Sequence, residues 1–80
     1  MTVNEQRALE ALRFIDHITR RRGYPPSRIE LAQHFGLSSR ASGQAIVRVL
    51  EAKGLVETFP DSVQGARITN SGMKALTEYA

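Results

Sequence analysis

The chain has no cysteine. No disulfide framework can staple it, and no thiolate can act as nucleophile or metal ligand. Its two histidines, His17 and His34, fall in different helical stretches and offer no zinc-site spacing. No apolar run approaches the ~20 residues needed to span a bilayer. Glu5, Arg7 and Glu10 interrupt the start, where a secretory signal would place its apolar stretch. There is no glycine-rich phosphate loop. Asp16 and His17 are adjacent, so they point in different directions and form no catalytic pair. A chain of 80 residues buries only about 60% of its unfolded surface, which leaves little room for an enclosed active site. The expectation is one cytoplasmic domain over residues 1–80, with no membrane partner, no metal, no cofactor and no enzymatic activity.

Acidic residues are outnumbered. Eight Asp and Glu face eleven Lys and Arg, nine of them arginine, for a net charge of +3 and a pI near 10. A basic balance is compatible with a nucleic-acid partner and favours one modestly over a merely solvated surface, the plainer account. Arginine suits planar, two-pronged recognition of phosphate and guanine edges.

The apolar pattern divides the chain. Thr2 and Glu5 read as a capping box, and Ala8, Ala11, Leu12, Ile15 and Ile18 recur at helical spacing, with Phe14 widening the face. Arg20, Arg21 and Arg22 fill the last turn, complementing the helix dipole or meeting a DNA backbone, and Gly23 supplies the stop. Tyr24-Pro25-Pro26 is a stiff, extended connection. Ser27 and Glu30 form a second capping box, predicting a helix to about Phe35 with Ile29, Ala32 and Phe35 inward. Gly36 permits a left-handed end, with Leu37 packing back. Ser38 or Ser39 caps a third helix to about Lys53. Val47 and Leu50 form its buried edge with Ile46 alongside, and Gly43 allows a close helix approach. After Gly54 the pattern turns β-prone. Leu55–Phe59 and Ala66–Thr69 read as two short strands around the turn residues Pro60–Gly65. Thr69, Asn70 or Ser71 caps a last helix over roughly 71–79. The order is that of a mainly α winged helix-turn-helix: a three-helix core, a two-stranded wing and a short C-terminal helix.

The run from Gly23 to Leu37, with its Pro25-Pro26-Ser27-Arg28 start, Leu31-Ala32-Gln33 helix and Phe35-Gly36-Leu37 turn, resembles the DNA-binding domain of the LexA family of repressors. The likeness continues through Leu50–Glu57, takes in Asp16-His17-Ile18, and covers about residues 7–68. It implies a winged helix-turn-helix that binds double-stranded DNA as a bacterial or phage transcription regulator. Two departures limit it. The 80 residues include no counterpart of the family's C-terminal self-cleaving, dimerising protease domain, so self-cleavage is not implied. The segment Ser39–Ala45 also differs from the family's pattern, so the same operator is not implied. The tail from Ile68 to Leu76 looks more like the wing-to-helix junction of small regulators such as the MarR class.

A recognition helix presents its N-terminal residues to base edges in the major groove. Opposite Val47 and Leu50, the third helix carries Ala41, Ala45 and Arg48, flanked by Gln44 and Ser42. The small side chains permit close approach. Gln44 suits adenine, Arg40 or Arg48 suits guanine or phosphate, and Ser39 and Ser42 can donate to either. Ser27 and Arg28 at the start of helix 2, with Gln64 and Arg67 on the wing, are the expected backbone contacts. A solvated helix face is the plainer account of the same residues. One such module buries only about 600–1,000 Å² on DNA, so a homodimer on a palindromic site is expected. Met73, Leu76 and Tyr79 would form its seam, unless that helix simply covers helix 1. The alternatives are a winged-helix protein-interaction module, for instance an inhibitor of a host regulator, or an accessory DNA-binding factor in replication or excision of a mobile element. Ile46 and Val49 would matter if the third helix met a protein.

Overall fold

The computed structural model describes residues 5–58 and 66–78. The first helix, α1, spans Glu5–Arg22. Its Ala8, Ala11, Leu12 and Ile15 are buried, on the one face that their three- and four-residue spacing dictates, while Ile18 is half-buried. Thr2, half of the expected first capping box, lies outside the described residues, as do the turn residues Pro60–Gly65 and Tyr79. Gly23 follows α1 directly, its N–H donating to Thr19 O at 2.8 Å.

The second helix, α2, spans Arg28–His34 with Ser27 as N-cap. Both bonds of the expected capping box are made. Ser27 Oγ accepts from Glu30 N at 3.2 Å, and Ser27 N donates to Glu30 Oε1 at 2.8 Å. The inward residues differ from expectation. Leu31 and Ala32 are fully buried, whereas Ile29 and Phe35 are only partly so. Leu31 sits in the core shared with α1 and the third helix. A seven-residue helix meeting two neighbours turns two adjacent positions inward, and Ile29, in its first turn, lies toward the rim.

The third helix, α3, spans Arg40–Ala52, capped by Ser39, whose Oγ accepts from Ala41 N at 3.1 Å. It buries Ile46, Val47 and Leu50. Helices α2 and α3 end in the same way. Gly36 and Gly54 take φ of 74° and 75°, a left-handed conformation that costs an L side chain about 1 kcal/mol or more. The next residue then turns back on the helix: Leu37 N donates to Ala32 O and Leu55 N to Leu50 O, both at 2.9 Å. This is the Schellman arrangement, and its six-to-one bond satisfies a carbonyl that the helix leaves open.

The hairpin consists of β1, Val56–Thr58, and β2, Ala66–Ile68. They pair antiparallel with Val56 opposite Ile68, Glu57 opposite Arg67 and Thr58 opposite Ala66. Val56 and Ala66 add to the core. The last helix, α4, spans Asn70–Glu78. Of the three caps the sequence allowed, Thr69 is the one used: its Oγ1 accepts from Gly72 N at 3.0 Å while donating to Gly54 O at 2.7 Å. Thr69 N also donates to Leu55 O at 3.0 Å. One residue thus fastens α4 to the α3–β1 turn. The chain is a winged helix-turn-helix: α1, α2 and α3 around one core, the two-stranded wing, and α4 packed on α1 and β2.

Candidate nucleic-acid interface

The surface of interest begins with a contact between two backbones. A Cβ built on Gly43 would lie 1.8 Å from Arg28 O and 2.6 Å from Arg28 C. Only glycine fits there, so the first turns of α3 rest directly on the start of α2, as the sequence suggested. This approach brings Arg28 beside Gln44, and Arg28 Nε donates to Gln44 Oε1 at 2.8 Å. Burial lowers the Arg28 pKa from its usual value. The neighbouring charge of Arg40 lowers it further, and Glu51 partly offsets both. Two arginines therefore stand close on this face, one of them partly stripped of water. An anion such as a phosphate would relieve that repulsion.

The outer side of α3 carries small and cationic side chains. Arg40, Ala41, Ala45 and Arg48 are exposed, and Ser42 and Gln44 are half-buried. Ile46 is buried in the core, so of the edge that would have favoured a protein partner only Val49 keeps apolar surface outside the core. Ser39 is exposed, but its hydroxyl caps α3. The Ser27 hydroxyl is likewise engaged as the α2 cap. Arg67 is exposed on β2 opposite Glu57, so a carboxylate accompanies the wing's cation. Gln64, expected at the wing tip, lies outside the described residues. The structure thus gathers Arg28, Arg40, Ala41, Ser42, Gln44, Ala45 and Arg48 around one helix and leaves Arg67 on a separate element.

The arginines that close α1 have separate tasks. Arg20 pairs with Asp16 one turn back at 3.0 Å. Arg22 reaches across to α2: its two terminal nitrogens each meet a Glu30 oxygen at 2.8 Å. One of them also donates to Pro25 O at 3.1 Å, and the guanidinium lies 4.2 Å from the Tyr24 ring centre. The bonds from Arg22 and the Ser27 backbone hold the Glu30 carboxyl down at about 2, while the same bond raises Arg22. This clasp was not apparent from the sequence, where Arg22 read as a dipole or DNA-backbone charge. The available signal was Glu30 itself, an acid that caps one helix eight residues beyond a cation ending another. His34 stacks on Phe14 at 4.2 Å and meets Phe35 edge-on at 5.0 Å. Among the described residues no group of His, Cys, Asp or Glu is arranged to hold a metal ion, and no helix is long and apolar enough to cross a membrane.

Comparison with known proteins places this geometry. The family model of the LexA DNA-binding domain matches residues 2–65. The chain belongs to the LexA DNA-binding domain family. It is 35% identical over 78 residues to the LexA repressor of Ligilactobacillus salivarius, covering 98% of this chain and 38% of that protein. It is 34% identical over 62 residues to the LexA repressor of Cellvibrio japonicus, covering 78% and 31%. With the LexA repressor of Ralstonia pickettii it shares 30% over 80 residues, covering 100% and 36%. The chain therefore spans about a third of the length of these LexA repressors. The segment matched by the LexA family model includes the Gly43 approach, the whole of α3 and both helix caps.

Proposed function

We propose that the protein binds double-stranded DNA sequence-specifically as a transcription regulator, a repressor in action, with α3 in the major groove. Ala41 and Ala45 allow the helix close to the bases, and Arg40, Gln44 and Arg48 read their edges. Arg28, Ser27, Ser39 and Ser42 lie where the phosphates would pass, and Arg67 and Gln64 extend the backbone contact from the wing. The observation that carries this reading is the composition of α3's outer face: Arg40, Ala41, Ala45 and Arg48 are exposed while Ile46, Val47 and Leu50 are buried. Such a face has charge and room for a base edge, and little apolar surface for a protein.

One such module makes few contacts, so the regulator works as a homodimer on two half-sites. In the proposed seam Met73 is 38% exposed, whereas Leu76 packs partly against its own core. Its range of target genes lies with the operator, which selection would supply.

The test is selection from random duplexes at two salt concentrations. A palindromic motif is expected, with affinity falling by about 0.9 log units per log unit of salt for each phosphate neutralised. Replacing Arg48 by Ala should cost about 1–3 kcal/mol if it reads a guanine. Retention of no duplex at low salt would overturn the proposal. Equilibrium sedimentation of the protein on the selected duplex would give its stoichiometry, and one protomer per palindrome would remove the dimer.

A further inference from the structure

The bond between Arg28 and Gln44 has a consequence for which bases the helix accepts. Arginine is donor-only at every nitrogen, so the Gln44 atom 2.8 Å from Arg28 Nε is necessarily the amide oxygen. The amide cannot turn over without setting its amino group against the guanidinium. Glutamine ordinarily offers a groove either a donor or an acceptor by rotating its last bond. Here one of those choices is removed. Among the described residues the Gln44 side chain makes no other hydrogen bond, which leaves its amino end as the free one.

We propose that Arg28 is a specificity-determining positioning residue: it holds Gln44 so that the amino group leads into the groove, and the base read there must offer an acceptor. Guanine presents N7 and O6, adenine N7, and thymine O4, whereas cytosine presents only its N4 amino donor. Cytosine on the contacted strand would face donor against donor and is rejected. The inference rests on the DNA-binding reading above, and it assigns Arg28 a part beyond that of a phosphate contact. The close approach at Gly43, 1.8 Å from Arg28 O to a built Cβ, brings the backbones of residues 28 and 44 near enough for the two side chains to meet. Arg28 and Gln44 are both half-buried, so solvent competes weakly for the bond.

The experiment is duplex selection, with the bound pools sequenced, for the full chain and for Arg28→Met, Gln44→Ala and the double variant. Circular dichroism verifies that each is folded. In the parent, one position should exclude cytosine by about tenfold. Arg28→Met and Gln44→Ala should each relax that exclusion at the same position, and the double variant should relax it no further. Arg28→Lys, which keeps the charge but not the fixed Nε geometry, should restore overall affinity more than it restores the exclusion. If Arg28→Met weakens every sequence alike and leaves the motif unchanged, Arg28 is a phosphate contact only and the inference is wrong. Enrichment of cytosine at the Gln44-dependent position in the parent would overturn it equally. A parent that selects no motif would instead overturn the DNA-binding reading itself.

Discussion

Gly43→Ala sets two effects against each other, and the structure decides between them. Alanine is worth about 1 kcal/mol over glycine inside a helix, so on propensity alone the substitution stabilises α3. The new methyl, however, would sit 1.8 Å from Arg28 O. To reach even a tight 3.0 Å contact the α2–α3 crossing must open by more than an ångström. The obstacle is a backbone carbonyl at the start of a capped helix, so no side-chain rotation relieves it. Overpacking of this kind costs about 1–3 kcal/mol, and more where nothing can yield. The expected balance is a loss of about 2 kcal/mol. For a domain of this size that corresponds to roughly 8–16 °C in Tm. Thermal unfolding followed by circular dichroism reads it, with Gly36→Ala as the control. A Cβ at Gly36 meets nothing within 4 Å, and only its φ of 74° is strained, so that variant should lose about 1 kcal/mol. DNA affinity should separate the two further, since only Gly43→Ala moves Arg28 relative to Gln44. A Gly43→Ala variant that melts at or above the parent would refute the close-approach argument.

Thr69→Val keeps shape but removes both the bond to Gly54 O and the cap on Gly72 N; a loss of about 1–2 kcal/mol is expected by urea unfolding, with Thr69→Ser near the parent. Leu31→Ala should cost about 2–5 kcal/mol and Ile29→Ala clearly less, and the reverse order in the same assay would contradict the packing described for α2. The Glu30 carboxyl is held at about 2 against an ordinary 4.5. A depressed carboxyl stabilises the fold fully above its unfolded value and ceases to do so as pH falls through its folded one. The contribution should therefore fade between pH 4.5 and about 2. With the Glu30 side chain 39% exposed, screening limits it to about 1 kcal/mol. Glu30→Gln should flatten the stability-against-pH curve in that window, and an unchanged curve would show that the clasp with Arg22 contributes nothing.

What could be read from the sequence was whatever depends on neighbours along the chain. Ser27 with Glu30, the glycines at 36 and 54 and Leu37 are local signals, and each does in space what its spacing implied. Leu55, read as the start of a strand, instead turns back on α3, and β1 begins at Val56. Leu31 was missed because seven residues are too few to show a helical period, so choosing Ile29 over Leu31 had no support beyond position. The Arg22–Glu30 clasp and the Arg28–Gln44 bond join residues eight and sixteen apart. Their existence depends on how two helices cross, which no local pattern encodes. Gly43 was the one visible trace of that crossing. It was read correctly as a place of close approach, but not as the reason Gln44 meets Arg28 before it meets any base.

The fastening at Thr69 makes the wing a replaceable part. Val56 is held in the core, and Ile68 leads straight into a residue bound to both Gly54 and Leu55, so the strand register is set from the base of the hairpin. That register owes nothing to the stretch joining Thr58 to Ala66, so a change of length or charge there should leave the core and α3 in place. If the wing meets the DNA backbone as proposed, a lineage, or an engineer, could retune that contact by rewriting those residues alone. On the proposed reading, the helix that meets the bases would be passed on intact.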